Sequence, residues 1–133
     1  MKRLVFDTST EWVVAGIWDG TSWIGSIEKT EAQTQSKQVF VVLQELLEFY
    51  QIPKKEISEI GVGIGPGSYT GLRIGLTVAK IWAYSAGIPL YKFSSARLGD
   101  PAEPKLQLVG AQDFERVEDI NAIVPVYSND HFS

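Results

Sequence analysis

Apolar positions along the chain fall first into runs of strand length and later into helical repeats. Residues 3–7, RLVFD, form a short apolar run ending in an acid, which predicts a buried strand with Asp7 at its tip. WVVAGIWD (12–19) and SWIGSIE (22–28) flank Asp19-Gly20-Thr21, and an Asp-Gly between two such runs predicts a tight hairpin. The polar stretch 29–35, KTEAQTQ, reads as a loop. Ser36 then stands as the N-cap of a helix over 36–50, with Val39, Val42, Leu43, Leu46, Leu47 and Tyr50 at helical spacing. Phe40, Val41 and Phe49 widen that stripe beyond what one core uses, and Pro53 stops the helix.

The run EIGVGIG (59–65) predicts a buried strand narrowed by glycine. Gly65-Pro66-Gly67-Ser68 has Pro second and Gly third, the pattern of a type II turn. Ser68 or Thr70 caps a second helix that reaches about Ser85 and ends at Gly87 and Pro89. Residues 88–93 read as another strand. Beyond Ser94 the periodicity weakens: SSARLGD reads as a short helix, DPAEPK as a linker, and LQLVGA and AIVPVY as strand-like pieces. The order β, β, β, α, β, α, β predicts an α/β fold, a mixed sheet flanked by helices. This is the order of a ribonuclease-H-like lobe of an actin-like (ASKHA) fold.

Composition narrows the function. The chain of 133 residues predicts one domain with a core of its own. A net charge of −4 supplies no basic field for autonomous binding of nucleic acid. With no cysteine and a single histidine, His131, there is no basis for a thiolate metal site, a cysteine nucleophile or a histidine base. MKRLVFDTST carries no signal-peptide pattern, and no run approaches the roughly 20 apolar residues of a membrane span. The expected location is cytoplasmic, away from membranes.

GIGPGSYTGLRIG (63–75) is the stretch that most invites a functional reading. A glycine-rich turn between a strand and a helix presents backbone N–H groups to an anion. On that reading Gly65, Gly67, Ser68 and Thr70 contact a phosphate or nucleotide, with Asp7 and Thr8 across the sheet. The Lys-Ser/Thr pair of a phosphate loop is absent, the dinucleotide fingerprint is incomplete, and Ser68 has no histidine to activate it. The contact is therefore expected to be weak at most, with no firm cofactor. Gly71, Gly75, Ala79 and Ala83 recur every fourth position, a spacing that lets another backbone approach closely. With the apolar excess of both helices, this predicts a partner interface: Val39, Val42, Leu43 and Leu46 on the first, and Gly71, Leu72, Gly75, Leu76, Ala79, Trp82 and Ala83 on the second. A bulky residue at Gly75 or Ala79 is then expected to abolish pairing and leave the monomer folded.

Asp7 permits two readings. In an actin-like phosphotransferase an acid there helps hold a metal–phosphate pair, and Glu11, Asp19, Asp100 or Asp113 would have to converge on it. Alternatively, Asp7 is a solvated carboxylate that caps its own turn.

The DTST element, the QSKQ-started helix and the block GPGSYTGLRIG, followed by AK, GIPL and SS, together resemble the TsaB (YeaZ) family of tRNA threonylcarbamoyladenosine biosynthesis proteins. The resemblance covers residues 1–96, and AIVPVY resembles the family's closing strand. It implies two ribonuclease-H-like lobes, here a first lobe over 1–96 and a strongly shortened, vestigial second lobe over 97–133. It implies a non-catalytic scaffold that activates a TsaD-like catalytic subunit, works beside a TsaE-like ATPase, and meets tRNA only through that complex. The product is N6-threonylcarbamoyladenosine at position 37 of tRNA. The implied contact is a bundle made by helices 36–50 and 68–85, through which a homodimer also forms in isolation. Family members often carry His-Ser where this chain has Gln35-Ser36. Two alternatives stand beside this reading: a small actin-like ATPase or kinase using Asp7 and the glycine turn, and a self-associating structural module. A glycoprotease lacks the zinc-ligating histidines and the nucleophile–base pair it would require.

Overall fold

The computed structural model describes residues 1–30 and 39–127. Strands β1 (Arg3–Asp7), β2 (Trp12–Trp18) and β3 (Trp23–Thr30) form an antiparallel meander. Helix α1 (Val39–Phe49) leads to β4 (Glu59–Gly63), helix α2 (Tyr69–Ala86) to β5 (Leu90–Phe93), and a two-residue β6 (Glu115–Arg116) follows. The sheet order is β3-β2-β1-β4-β5-β6, with β1, β4 and β5 parallel and the other neighbours antiparallel. This is the expected ribonuclease-H-like arrangement. The proposed cap at Ser36 and the residue His131 lie outside the described residues.

Local chemistry accounts for the boundaries. The Asp19 carboxylate accepts hydrogen bonds from the backbone N–H groups of Thr21 and Ser22, which closes the β2–β3 hairpin. Ser68 caps α2 by accepting from the Gly71 N–H, and Gly87, at φ 66°, ends the helix in the left-handed conformation.

Alternation along each strand divides the core between two faces. Leu4 and Phe6 of β1 and Ile60 and Val62 of β4 pack under the helices with Leu43, Leu46, Leu76 and Ala79. Val5, Val14, Trp18 and Phe93 face the other side, where Leu98, Leu106 and Val109 cover them. Residues 97–127 therefore lie against the same sheet. LQLVGA does not form the expected strand: Leu106–Leu108 is a turn of 3-10 helix that buries Leu106, with Val109 buried just after it. AIVPVY is likewise not a strand. It starts in a 3-10 turn, donates from Val126 N–H to the Ile64 carbonyl, and makes one bridge between Tyr127 and Gly67.

Candidate functional site

The carboxyl ends of β1, β4 and β5 meet where the sequence concentrates its small and hydroxyl residues. Asp7 ends β1 on the face opposite the helices, and it is fully buried. Its Oδ1 accepts from the Ser9 N–H at 2.8 Å and the Ser9 hydroxyl at 2.6 Å. Its Oδ2 accepts from the Ser95 hydroxyl at 2.5 Å, and Ser95 Oγ accepts from the Gly65 N–H at 2.8 Å. Gly63 leaves the room, because a Cβ there would lie 1.8 Å from Asp7 Oδ2. Burial pushes the Asp7 pKa up, against the hydrogen bonds from Ser9 and Ser95 that favour the charged form.

Asp7 thus caps its turn, as one sequence reading held, but as a buried carboxylate rather than a solvated one. The other acids do not converge on it. Asp19 lies past Trp18 at the far end of β2, where Trp18 pairs with Arg3 rather than with Asp7. Its pKa is lowered to about 2 by the hydrogen bonds from Ser22 and Thr21. Asp113 is committed to Arg97 and to the Gly110 N–H, Asp100 accepts from the Ala102 N–H, and Glu11 is exposed. Among the described residues no three His, Cys, Asp or Glu side chains group as a metal-holding set.

The glycine stretch proves to be the seat of the DTST turn. Thr8 donates its hydroxyl hydrogen to the Gly71 carbonyl at 2.5 Å, and the Ser68 N–H donates to the Ser9 carbonyl at 2.8 Å. A Cβ at Gly67 would lie 2.4 Å from the Ser9 carbonyl oxygen, one at Gly71 2.1 Å from that of Thr8, and one at Gly75 2.2 Å from Thr8 Oγ1. The turn also departs from type II. Gly65, not Gly67, holds the left-handed backbone (φ 104°), and the Gly65–Pro66 peptide is cis.

This geometry bears on two sequence expectations. Of the predicted phosphate contacts, Asp7, Thr8, Gly65, Gly67 and Ser68 do come together, but Asp7 is held by Ser9 and Ser95, Thr8 by Gly71, Gly65 by Ser95 and Ser68 by Ser9, with Gly67 packed on Ser9; Thr70 is the one left exposed. The adjoining open depression of about 790 Å³ is lined by Ser9, Thr10, Glu11, Ser68, Ser95 and a wall of glycine, proline and other apolar residues that includes Pro66, Leu98 and Pro101. It offers hydroxyls and one carboxylate but no Lys or Arg among the described residues. In the stripe of small residues, Gly71 and Gly75 seat the chain's own turn, and Ala79 and Ala83 pack in the helix-side core. Val39, Val42, Leu43, Leu46, Leu72, Gly75, Leu76, Ala79 and Ala83 are all buried in the protein's own core. Gly71 is half-buried beneath Thr8. Trp82 is half-buried as well.

What faces outward is a different set. Phe40 (47% exposed) and Val41 (48%) project from α1, and Ile81 (53%) and Tyr84 (81%) from α2. The Phe40 ring stacks on Trp82 with centroids 6.4 Å apart, and Lys54 Nζ lies 5.7 Å from the same indole. A shallow groove of about 440 Å³ runs alongside, between Phe40 and the outer row of α2. The sequence signal for this face was present in the surplus at Phe40 and Val41; Tyr84 sits on a polar row and carried none.

Comparison with known proteins agrees with the architecture. A family model described as "TsaD: tRNA N6-adenosine threonylcarbamoyltransferase" matches residues 27–98, more than half of the chain. A tRNA threonylcarbamoyladenosine biosynthesis protein TsaB of Bacillus subtilis is 40% identical over 63 residues, covering 47% of this chain and 28% of the relative. The TsaB of Escherichia coli is 29% identical over 96 residues, covering 71% and 41%. The solved structure of YeaZ from Pseudomonas aeruginosa superposes with a TM-score of 0.65 at 23% identity, covering 73% of this chain and 45% of that one. The chain spans less than half the length of these relatives. No helix among the described residues is long and apolar enough to cross a membrane. With the sheet order, the DTST turn and its glycine seat in place, the chain belongs to the family of that model and is TsaB/YeaZ-like within it.

Proposed function

We propose that this chain is a non-catalytic scaffold in the formation of N6-threonylcarbamoyladenosine at position 37 of tRNA. It docks a TsaD-type catalytic subunit through the outward faces of α1 and α2, and a TsaE-type ATPase and tRNA join through that assembly. The observation that carries the proposal is the apolar surface left over after the core is complete. The inner rows of both helices are buried, and Phe40, Val41, Ile81 and Tyr84 still project into solvent. The chemistry of the strand ends supports an accessory role. Asp7, the acid an actin-like phosphotransferase would use, has both oxygens occupied by Ser9 and Ser95. The DTST turn and the glycine stretch hold α2 rigidly against β1, so that the helix pair presents a fixed shape to a partner.

The test mixes the purified chain with a TsaD-type protein, a TsaE-type ATPase, tRNA and the threonylcarbamoyl donor. Complex formation and transfer to adenosine are measured with and without the chain. The proposal expects a complex and faster transfer; a chain that neither binds nor alters transfer refutes it.

A further inference from the structure

The outward row of α2 carries charge of one sign. Tyr69, Arg73, Thr77, Lys80 and Tyr84 follow one another at intervals of four, four, three and four residues and so form a single stripe. Arg73 donates to the Tyr69 hydroxyl at 2.8 Å, and its guanidinium lies 5.2 Å from the Tyr69 ring, which in turn meets Tyr127 at 4.6 Å. Among the described residues neither Arg73 nor Lys80 pairs with a carboxylate. Lys54, over Trp82, adds a third cation at the same patch. On a chain whose net charge is −4, the apolar patch is thus bordered along α2 by cations only. Arg73 is tied to Tyr69 by its hydrogen bond to the ring hydroxyl, so its fork is oriented before any partner arrives.

We infer that Arg73 and Lys80 select and orient the partner of this face, which is a different protein presenting an apolar helical surface bordered by carboxylates. The inference rests on the docking role proposed above and goes beyond it by naming the chemistry the partner must show. A second copy of this chain offers the stripe, on α1, a single carboxylate outside an ion pair. On the outward side of α1 it brings Glu45, already paired with Lys29 at 3.4 Å, and Glu48, hydrogen-bonded to Gln44. A separate protein with free carboxylates meets both cations at once and excludes partners lacking them.

The experiment titrates the full chain with a TsaD-type protein by calorimetry at several salt concentrations. It compares wild type, the double variant Arg73→Glu/Lys80→Glu, and the charge-keeping Arg73→Lys/Lys80→Arg. Circular dichroism checks that all three fold, as expected for exposed or half-exposed positions. Binding that weakens with salt, falls about tenfold or more on charge reversal and survives the charge-keeping swap supports the inference. Unchanged affinity and salt dependence on reversal overturns it while leaving the docking role standing. A wild type that does not bind at any salt concentration overturns the docking role, and this inference with it. Loss of self-association or of tRNA retention in the reversed variant, with TsaD-type binding intact, also overturns it by assigning the stripe to another occupant.

Discussion

Gly75 offers the sharpest test of what the glycine stretch is for. As a helix position, Gly75→Ala should gain about 1 kcal/mol from propensity alone. A Cβ there, however, would lie 2.2 Å from Thr8 Oγ1, well inside van der Waals contact. The DTST turn must retreat, at an overpacking cost of about 1–3 kcal/mol. Retreat also breaks the bond from Thr8 to the Gly71 carbonyl, worth about 1 kcal/mol. Losses exceed the gain, and the net effect is a destabilisation of about 1–3 kcal/mol. Thr8→Ala removes the clashing oxygen; the next atom, Thr8 Cβ, stands at an ordinary 3.4 Å. In that background Gly75→Ala should be neutral or stabilising by up to about 1 kcal/mol. Urea denaturation of the four proteins, followed by tryptophan fluorescence, gives the coupling directly, expected to be at least about 1 kcal/mol. Equal cost in both backgrounds would refute an intramolecular seat and return Gly75 to a surface facing another chain. The same geometry reverses the sequence expectation for Gly75→Phe: the monomer itself should fail to fold.

Three further outcomes follow from the same structure. Asp7 has a folded-state pKa above its unfolded value, so the native state holds its proton more tightly and stability falls as pH rises from about 3.8 through the folded value. Asp7→Asn should remove that fall and cost less than about 2 kcal/mol at pH 7, as denaturation across pH would show; a larger loss would mean that the charge itself holds the loops. Asp19 has the opposite sign, its contribution being present above pH 3.8 and lost as pH falls toward about 2, and a carboxyl NMR titration should place its midpoint there. Glu59→Gln removes the partner of the buried Arg3, whose guanidinium bonds Glu59 at 2.8 Å and lies over Tyr91 and Phe114; it should cost about 2–4 kcal/mol by thermal denaturation, more than Lys2→Ala at the exposed pair with Glu56.

Elements with local chemistry were legible in the sequence. Asp19-Gly20 marked the hairpin, Ser68 and Gly87 marked the ends of α2, and the apolar run of β1 placed Asp7 at its tip. Features that depend on distant residues were not. Ser95 reaches Asp7 across 88 positions, and nothing near either residue announces the pair. The four-residue repeat of Gly71, Gly75, Ala79 and Ala83 does not say what approaches: at Gly71 and Gly75 it is Thr8, while Ala79 and Ala83 pack in the helix-side core. LQLVGA looked like a strand because its apolar residues cluster. Its Leu106 and Val109 instead reach the sheet from the start of a 3-10 turn and from the residue that follows it, a three-residue spacing that strand periodicity does not describe. Residues 115–116 gave no apolar pattern and became β6 only by pairing with Tyr91 and Lys92.

The central claim is that the outward face of α1 and α2 docks a TsaD-type protein. Its most direct test is sedimentation of that protein with the double variant Phe40→Asp/Ile81→Asp, both side chains about half exposed in the free chain. The account predicts a variant as stable as wild type that no longer co-sediments. A folded variant that still forms the complex with unchanged affinity would contradict it.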